Sequence, residues 1–489
     1  MRAFSRSIGL LCVLIMLPAA RGAEAQAMFP AAGAVNICPD TTLRIVLPAN
    51  IKLGAVGKIH IYDASDNTAV DTIDLTPPAA APAPPATLGR GATTAPDVAR
   101  MPSDRAAPPR VKSIGELSNY HYYPVIVSGN TAEIFPAPGA LTYGKTYYVT
   151  IDPGVFREGE KDITPSLSPQ SWRFSTRPAA PAAGAARITV ASDSTGDFAT
   201  VQVALDFVPE NNTAPVTILV KKGVYTGMIY FTNKHNITLA GEDRKQTIIQ
   251  YATNDRFNNS AGGGGYRRGV LRANRCNDFT LTNLTIRNTT PKGGSQAECI
   301  ILNGTPAAHA VVKDVDLYSF QDTLQINGQG YVANCRIEGD VDFMWGTGPC
   351  FFENCTLRTV NNNAYFTQIR NTAQTHGYVY YKCVFEGAPG VSGNVLSRID
   401  PGVYPFSEVV LIDCTLDGSV SPAAWRFDRN TEGPNVHFWE YNSHTADGKP
   451  VDVTRRFAAS RQLKSPDDAE LIRNYSDPAW VFGGWNPRR

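Results

Sequence analysis

The 489-residue sequence lacks the features that would point to a nucleic-acid or membrane protein. It has almost no excess charge, because 45 Lys and Arg residues face 44 Asp and Glu residues and leave a formal net charge of +1. Such a balance gives no general attraction to nucleic acid or to an anionic membrane. Beyond its N-terminal segment it also lacks any apolar run long enough to span a bilayer as a helix. We therefore expect neither nucleic acid nor a membrane as a partner.

The first residues carry the pattern of a cleavable secretory signal. Arg2 and Arg6 precede an apolar run from Ile8 to Pro18, and small residues follow up to Ala27. This pattern predicts that residues 1–27 are removed on export and that the mature chain is secreted, either into the periplasm or outside the cell. We expect the secreted chain to be a monomer.

Residues 35–176 contain short β-branched and aromatic runs separated by Asp, Asn, Gly and Pro. This pattern predicts a small β-sandwich, and the segments 57–67 and 143–149 resemble bacterial immunoglobulin-like domains. A Pro/Ala-rich insertion at 77–110 is predicted to be a disordered loop, because it offers little apolar surface to bury. A second Pro/Ala stretch at 177–186 is predicted to be the linker that ends this domain.

From residue 187 onward, helical periodicity is almost absent and a short repeat takes its place. The repeat is a polar residue, a small or apolar one, any residue, then Ile, Leu or Phe, and copies begin at residues 236, 283, 314, 334, 354, 382 and 413. The interval from 314 to 334 equals that from 334 to 354. A short repeat of this kind, rich in β-formers and Asn and Gly turns, is typical of a parallel β-helix. The sequence thus predicts an all-β chain, with a right-handed parallel β-helix at 187–489 behind the sandwich.

Four cysteines fall at the same point of the repeat, at positions 335, 355, 383 and 414. In an exported protein such residues suggest disulfides. Stacked parallel strands about 4.8 Å apart bring their Cα atoms within disulfide range, but they do not ensure the required torsion angles. We favour buried free thiols that act as small apolar side chains.

Two aspartates share one offset in consecutive repeats. Asp322 follows the repeat that opens at Asp314 by the same interval at which Asp342 follows the repeat that opens at Asn334. Side chains at one offset lie on one wall of the tube, and two close carboxylates cannot ionise independently. One would then keep a proton while the other is charged, which supplies a general acid and a nucleophile. The alternative is that these aspartates only terminate turns, as Asn ladders do in such folds.

The residues around this pair resemble the pectin methylesterase family. The strongest motif is Gln321-Asp322-Thr323-Leu324, which agrees with the family at every position. Further similar segments follow one another in the family's order: 196–202, 222–225, 236–241, Gln296-Ala297, Val341-Asp342-Phe343 with Gly346, and Leu396-Ser397-Arg398. The likeness extends from about residue 187 to residue 489.

The resemblance implies an aspartyl esterase that releases methanol from pectin, or from a related methyl-esterified polyuronate, without a metal or any other cofactor. Asp342 would attack the ester carbonyl, and Asp322 would protonate the departing methanol and then activate water. Gln296 and Gln321 would hold the oxyanion. Arg398 would pair with Asp342 and depress its pKa, as a guanidinium within hydrogen-bond reach does.

Two departures from the family concern the sugar-binding surface. Ile399-Asp400 stands where the family has Pro-Trp, so an aromatic platform is lost and a negative charge is added. Trp345 and Phe320 are the aromatic residues that we expect to contact the substrate. Other aromatic side chains could line a cleft or only pack the tube: Tyr365, Phe406 and Trp425.

Three other functions compete with pectin methylesterase. A polysaccharide lyase on the same fold would need a Ca²⁺ site made of several carboxylates, whereas amides and apolar residues flank Asp322 and Asp342. The same aspartyl mechanism could act on another acyl ester or a thioester, and Ile399-Asp400 keeps this alternative open. A non-catalytic cell-surface carbohydrate-binding protein would have no need of the full set of catalytic side chains.

Overall fold

The computed structural model describes residues 27–76, 100–258, 267–429 and 432–488. The predicted signal segment therefore lies outside the described residues except for Ala27, and so do residues 77–99 of the predicted loop. Across the described ranges, the α-helices are Val201–Phe207, Ala469–Tyr475 and Pro478–Val481. None of these helices is long and apolar enough to cross a bilayer.

The N-terminal part folds as two sheets packed face to face. One sheet has the strand order Ala27–Phe29, Leu43–Val46, Thr131–Ile134, Val125–Ser128. The other has the order Ala34–Ile37, Arg173–Thr176, Thr146–Ile151, Lys58–Asp63, Ala69–Asp74. A small third sheet joins Lys161–Asp162, Phe156–Glu158 and Lys52–Leu53. Alternate residues of the two larger sheets form one apolar core around the buried Trp172. The sandwich is present, and its immunoglobulin-like relationship stays a prediction.

The predicted disordered loop is wrong for residues 100–110. Ala106 and Ala107 are 4% and 2% exposed, and the Ala107 N–H donates to the Val125 carbonyl at 3.0 Å. Small side chains can be buried here because the backbone pairs with a sandwich strand. An antiparallel hairpin of Arg110–Ile114 and Leu117–Tyr122 follows.

Three parallel sheets form a β-helix that begins at Arg187. The first sheet contains Arg187–Val190, Val216–Val220, Ile237–Gly241, Phe279–Thr282, His309–Lys313, Gln329–Ala333, Cys350–Glu353, Tyr378–Tyr381, Glu408–Ile412, His437–Tyr441 and Arg461–Gln462. The second contains Gly223–Thr226, Thr247–Tyr251, Thr285–Asn288, Asp316–Tyr318, Arg336–Gly339, Thr356–Thr359, Val384–Gly387 and Thr415–Leu416. The third contains Ile229–Thr232, Leu271–Asn274, Ile300–Asn303, Leu324–Ile326, Met344–Gly346, Tyr365–Ile369, Val395–Ile399 and Trp425–Phe427.

The polar residue that opens each sequence repeat has a left-handed backbone. Its φ angle is positive in every copy: Asn236, Asn283, Asp314, Asn334, Asn354, Lys382 and Asp413. Asn and Asp tolerate this conformation better than other residues with a side chain. The repeat therefore marks the corner between the first and second sheets, and Asp316 pairs with Arg336 and Arg336 with Thr356 at the predicted spacing.

The four repeat cysteines stack inside the tube, as predicted. Each thiol is buried and contacts a backbone carbonyl of the preceding coil, at 3.2 to 3.5 Å. All eight cysteines of the described ranges have free thiols. Desolvation raises the pKa of these thiols, which makes them poor nucleophiles and suits a packing role.

Candidate active site

Asp322 and Asp342 lie side by side on adjacent coils, just before the third sheet. Gln321 pairs with Val341, one residue before them, and Leu324 pairs with Met344, two residues after. Both aspartates are 8% exposed and have positive φ angles of 64° and 47°. A left-handed backbone at a non-glycine residue costs on the order of 1 kcal/mol and is common where a side chain is held for function.

Asp342 is held at both carboxylate oxygens. Arg398 donates through Nε to Oδ1 at 2.9 Å and through Nη2 to Oδ2 at 2.6 Å. Gln368 adds a bond from Nε2 to Oδ2 at 3.1 Å, and Arg370 in turn donates to the Gln368 side-chain oxygen. The carboxylate therefore has a single orientation relative to the third sheet.

The two carboxyl groups differ in the neighbouring charges that act on their pKa values. Burial raises the pKa of Asp342 even though the Arg398 hydrogen bond and charge lower it, so the expected depression below the ordinary value is wrong. Burial raises the pKa of Asp322 well above its ordinary value, and the negative charges of Glu298 and Asp342 add to this effect. These shifts favour ionisation of Asp342 before that of Asp322.

An ion pair that the sequence pattern does not reveal lies behind Asp322. Arg268 donates through Nε to both Glu298 oxygens at 2.9 and 3.0 Å, and through Nη2 to Asp322 Oδ2 at 3.1 Å. Glu298 is fully buried, and desolvation raises its pKa to about 7 despite the nearby guanidinium. One arginine therefore links two buried carboxyl groups.

The predicted oxyanion donors lie on neighbouring coils beside the pair. The Ala297 N–H donates to the Gln321 carbonyl at 3.2 Å, which places Gln296 and Gln321 next to each other. Both glutamines are half-buried, and the Gln296 side-chain oxygen accepts from Ser295 Oγ at 2.8 Å. Both side chains are therefore partly accessible beside the two aspartates.

Aromatic and arginine side chains alternate along one side of the site. The Arg370 guanidinium lies 4.7 Å from the centre of the Trp345 ring and 5.3 Å from that of Tyr404. The Arg268 guanidinium lies 5.6 Å from the centre of the same Trp345 ring. Arg398 lies 4.3 Å from the ring centre of Tyr365. Trp345 and Arg268 are buried, so a substrate contact by Trp345 stays a prediction. The half-buried members of the row form a cationic and aromatic surface next to the carboxylates: Arg370, Tyr404, Arg398 and Tyr365.

Comparison with known proteins decides the family. The family described as Pectinesterase matches residues 187–476, which is more than half of the chain. The chain belongs to the pectinesterase family. It is 29% identical to pectinesterase 31 of Arabidopsis thaliana over 308 residues, covering 60% of this chain and 92% of that protein. It is also 29% identical to pectinesterase 1 of Olea europaea, covering 59% of this chain and 77% of that protein.

Solved structures agree with this fold. A pectin methylesterase from carrot superposes with a TM-score of 0.54 and 21% identity, covering 62% of this chain and 95% of the other. A pectin methylesterase from Erwinia chrysanthemi gives a TM-score of 0.51 and 24% identity, covering 63% of this chain and 99% of the other. The predicted right-handed parallel β-helix of the pectinesterase domain is thereby confirmed.

Nearby side chains partly offset the replacement of the family's Pro-Trp by Ile399-Asp400. Ile399 is buried in the tube, whereas Asp400 is partly exposed, and Arg429 lies 3.9 Å from its carboxylate. The added negative charge is therefore partly balanced. Tyr404, in the segment that follows, supplies an aromatic ring that stacks with Arg370.

The other aromatic candidates separate into two groups. Trp425 points into the tube and stacks on Phe438, with ring centres 4.9 Å apart, so it serves packing. Phe406 is exposed at the surface, and Phe320 is half-buried at the turn before Gln321. A substrate contact by Phe320 stays a prediction.

Several functional candidates of the pectinesterase domain had no clear sequence signal. Gln368 pairs in register with Trp345 on the third sheet. The coil that carries Gln368 is longer than the two coils before it, so a search by strand register, not by a fixed interval, could have found it. Arg268 lies outside the repeat, and Glu298 precedes the strand Ile300–Asn303 at a position that no motif marks. Within the described ranges, no cluster of three or more His, Cys, Asp or Glu side chains could hold a metal ion.

Proposed function

We propose that this pectinesterase hydrolyses methyl esters of pectin by an aspartyl mechanism, with Asp342 as nucleophile and Asp322 as general acid and base. The observation that carries the proposal is the asymmetry of the pair. Arg398 holds Asp342 at both oxygens, whereas Asp322 accepts one bond from Arg268, which it shares with buried Glu298, and burial raises the pKa of Asp322 well above its ordinary value. The two aspartates are therefore suited to different roles, Asp342 as nucleophile and Asp322 as proton donor.

The reaction follows from this asymmetry. An oxygen of ionised Asp342 adds to the ester carbonyl carbon, and the carbonyl oxygen becomes an oxyanion. The bond to the methoxy group then breaks, and the Asp322 proton passes to the leaving oxygen, which departs as methanol. Asp322, now ionised, takes a proton from water, and the resulting hydroxide attacks the acyl group on Asp342. This step releases the polyuronate carboxylic acid, which loses its proton to solvent, and it restores ionised Asp342 and protonated Asp322.

Gln296 and Gln321 are the proposed donors to the oxyanion. Neutral amides stabilise developing negative charge without neutralising the nucleophile. Removal of one such donor typically costs about 3 kcal/mol of transition-state stabilisation. The position of both residues on adjacent coils beside Asp322 supports this role.

Pectin is the substrate that the family and the charges favour. The Arabidopsis and Olea relatives are pectinesterases, and one structural neighbour, 24% identical, is a pectin methylesterase in complex with hexasaccharide VII. Arg370 and Tyr404, both half-buried, offer a cationic and aromatic surface that suits uronate rings. Because pectin is an extracellular polymer, the export pattern of residues 1–27 agrees with this substrate.

The first experiment measures methanol release from highly methylated pectin by the secreted chain in the presence of a chelator. We expect activity in the wild type and its loss in Asp342→Asn and Asp322→Asn. Asp413→Asn is a matched control, because Asp413 also has a left-handed backbone but lies at another corner of the tube.

The outcome separates pectin from other acyl substrates. Wild-type protein that is folded but releases no methanol would contradict the assignment to pectin. Hydrolysis of a thioester control by that same protein, lost in Asp342→Asn, would favour the alternative in which Asp400 marks a changed acyl substrate.

A further inference from the structure

The hairpin of Arg110–Ile114 and Leu117–Tyr122 belongs to the N-terminal segment but packs on the β-helix. Its Ile114 and Tyr120 side chains join the core of the tube rather than that of the sandwich. Tyr120 is fully buried and meets Tyr230 of the third sheet edge-on, with ring centres 4.8 Å apart. The hairpin thus covers the first strand of the sheet that carries the active site.

An ionic contact fixes the hairpin turn to the same sheet. Glu116 lies 3.3 Å from an Arg272 nitrogen and 2.6 Å from an Arg275 nitrogen, and it accepts from Asn274 Nδ2 at 2.5 Å. The turn itself approaches the sheet closely. A Cβ at Gly115, where φ is +54°, would lie 2.9 Å from a backbone oxygen of Tyr230.

A three-residue segment lies between the hairpin and the catalytic pair. Arg267 donates through Nη1 to the Ser118 carbonyl at 3.0 Å, and its guanidinium lies 5.6 Å from the Tyr120 ring centre. At the other end of the segment, the Gly269 carbonyl accepts from Tyr230 Oη at 2.6 Å. The hairpin and the strand it covers therefore hold both ends of Arg267–Gly269.

The middle residue of this segment faces the catalytic site. Arg268 lies between Glu298 and Asp322 and donates to both. The segment also crosses the third sheet closely, because a Cβ at Gly269 would lie 3.0 Å from the Ile301 side chain. Since consecutive residues cannot move independently, the position of Arg267 on the hairpin constrains that of Arg268.

We propose that the hairpin is a positioning element of the esterase site, which holds Arg267–Gly269 so that Arg268 stays between Glu298 and Asp322. The inference rests on the function proposed above and assigns the N-terminal domain a part in catalysis, through the hairpin that it contributes. Arg267 and Tyr120 are positioning residues that act through Arg268.

The charges around Asp322 determine what the loss of this support should do. Glu298 and Asp342 are the negative groups that act on its pKa, and Arg268 and Arg370 are the positive ones. If Arg268 leaves its place, Asp322 loses both a hydrogen bond and the positive charge that lowers its pKa. The pKa of Asp322 should then rise, because a nearby positive charge favours the ionised carboxylate.

The test compares Arg267→Ala and Tyr120→Ala in the full chain. The pKa of Asp322 is followed by NMR of carboxyl-labelled aspartate, assigned with Asp322→Asn, and the pH profile of kcat/KM is measured on pectin. We expect the pKa and the alkaline limb of the profile to rise together by about one pH unit. Tyr120→Phe keeps the ring and should return both to wild-type values.

Arg177→Ala is the matched control. Arg177 also joins the sandwich to the β-helix, through a bond to the Ser194 carbonyl at 2.7 Å, but this bond lies away from the hairpin. It should lower thermal stability without moving the pKa of Asp322. If the hairpin serves stability alone, Arg267→Ala would also lower thermal stability without moving the pKa of Asp322. That result would overturn the proposal.

A double variant tests whether the effect of Arg267→Ala on the pKa of Asp322 passes through Arg268. In Arg268→Gln, the further change Arg267→Ala should cause no additional shift in the pKa of Asp322. A shift of undiminished size would overturn the proposed route. The NMR comparison needs no substrate, so a wild type that releases no methanol would contradict the pectin assignment while the positioning role is still tested.

Discussion

The guanidinium of Arg398 forms a two-bond fork with the carboxylate of Asp342, through Nε to Oδ1 at 2.9 Å and Nη2 to Oδ2 at 2.6 Å. A planar fork fixes the direction of the carboxylate as well as its charge, which a single ammonium group cannot do. The nucleophile is therefore aimed by geometry, although burial keeps its pKa above the ordinary value.

Arg398→Lys should preserve the positive charge but lose the fork. We expect kcat on methylated pectin to fall by about 100-fold, because a small misplacement of a reacting group has an effect of this size. Arg426→Lys is the matched control, since Arg426 pairs in register with Arg398 on the next coil. An unchanged kcat in Arg398→Lys would show that charge alone suffices.

Asp322→Asn should stabilise the protein at neutral pH while it abolishes activity. The folded-state pKa of Asp322 is raised, so its contribution to stability is present below the unfolded-state pKa and lost as pH rises through the folded-state pKa. The Asn side chain does not ionise, so the variant keeps this contribution to stability at high pH. We expect the melting temperature at pH 8 to rise by a few degrees, roughly in line with 1 kcal/mol, with a smaller difference at pH 4. A lower melting temperature at pH 8 would contradict this.

Glu298→Gln should move the pH profile of the reaction. The negative charge of Glu298 raises the pKa of Asp322, so its removal leaves Arg268 to lower that pKa. We expect the alkaline limb of kcat/KM to shift to lower pH by about one unit. Glu338→Gln, on the neighbouring wall of the tube, should leave the profile in place. A shift to higher pH in Glu298→Gln would show that the amide displaces Arg268 instead.

Glu408→Gln should destabilise the C-terminal coils in mildly acidic solution. Burial would raise the pKa of Glu408, but His376, His437 and Tyr475 bond to it and lower the pKa to about 2. This stability is present above the unfolded-state pKa and is lost as pH falls through the folded-state pKa. The variant should lose about 3 kcal/mol of unfolding free energy at pH 6.

Urea unfolding at pH 6 and at pH 2.5 checks the Glu408 prediction. The difference in unfolding free energy between the wild type and Glu408→Gln should be smaller at the lower pH. Glu470→Gln, exposed on the helix Ala469–Tyr475, is the control and should change little. A gap of equal size at both pH values would mean that packing, not charge, accounts for the effect.

Tyr404→Ala should weaken substrate binding more than it slows the chemical step. Tyr404 stacks on Arg370, which stacks on Trp345, and a cation–aromatic contact contributes about 0.5 to 1 kcal/mol at an accessible site. We expect KM for pectin to rise about two- to fivefold, with kcat nearly unchanged. Tyr404→Phe should behave as the wild type. A fall in kcat without a change in KM would place Tyr404 outside the binding surface.

Much of the β-helix could be predicted because the residues that fix the local backbone conformation at the corners recur at the interval that also sets the register between coils. The left-handed corner residue must tolerate a positive φ, so Asn and Asp recur there, as at Asn334 and Asn354. Where consecutive coils have equal length, equal offsets lie on one wall. The sequence by itself therefore determined that Asp322 and Asp342 are neighbours, and that the four repeat cysteines stack.

Only the tertiary structure decided what surrounds that pair. Arg268 reaches Asp322 from a segment outside the repeat, and Tyr120 supports that segment from a hairpin far earlier in the chain than the catalytic coil. Contacts of this kind depend on how irregular segments are covered, and no period in the sequence encodes them. The burial that raises the pKa of Asp342 despite Arg398 has the same origin, because desolvation depends on all the chain that closes over a site.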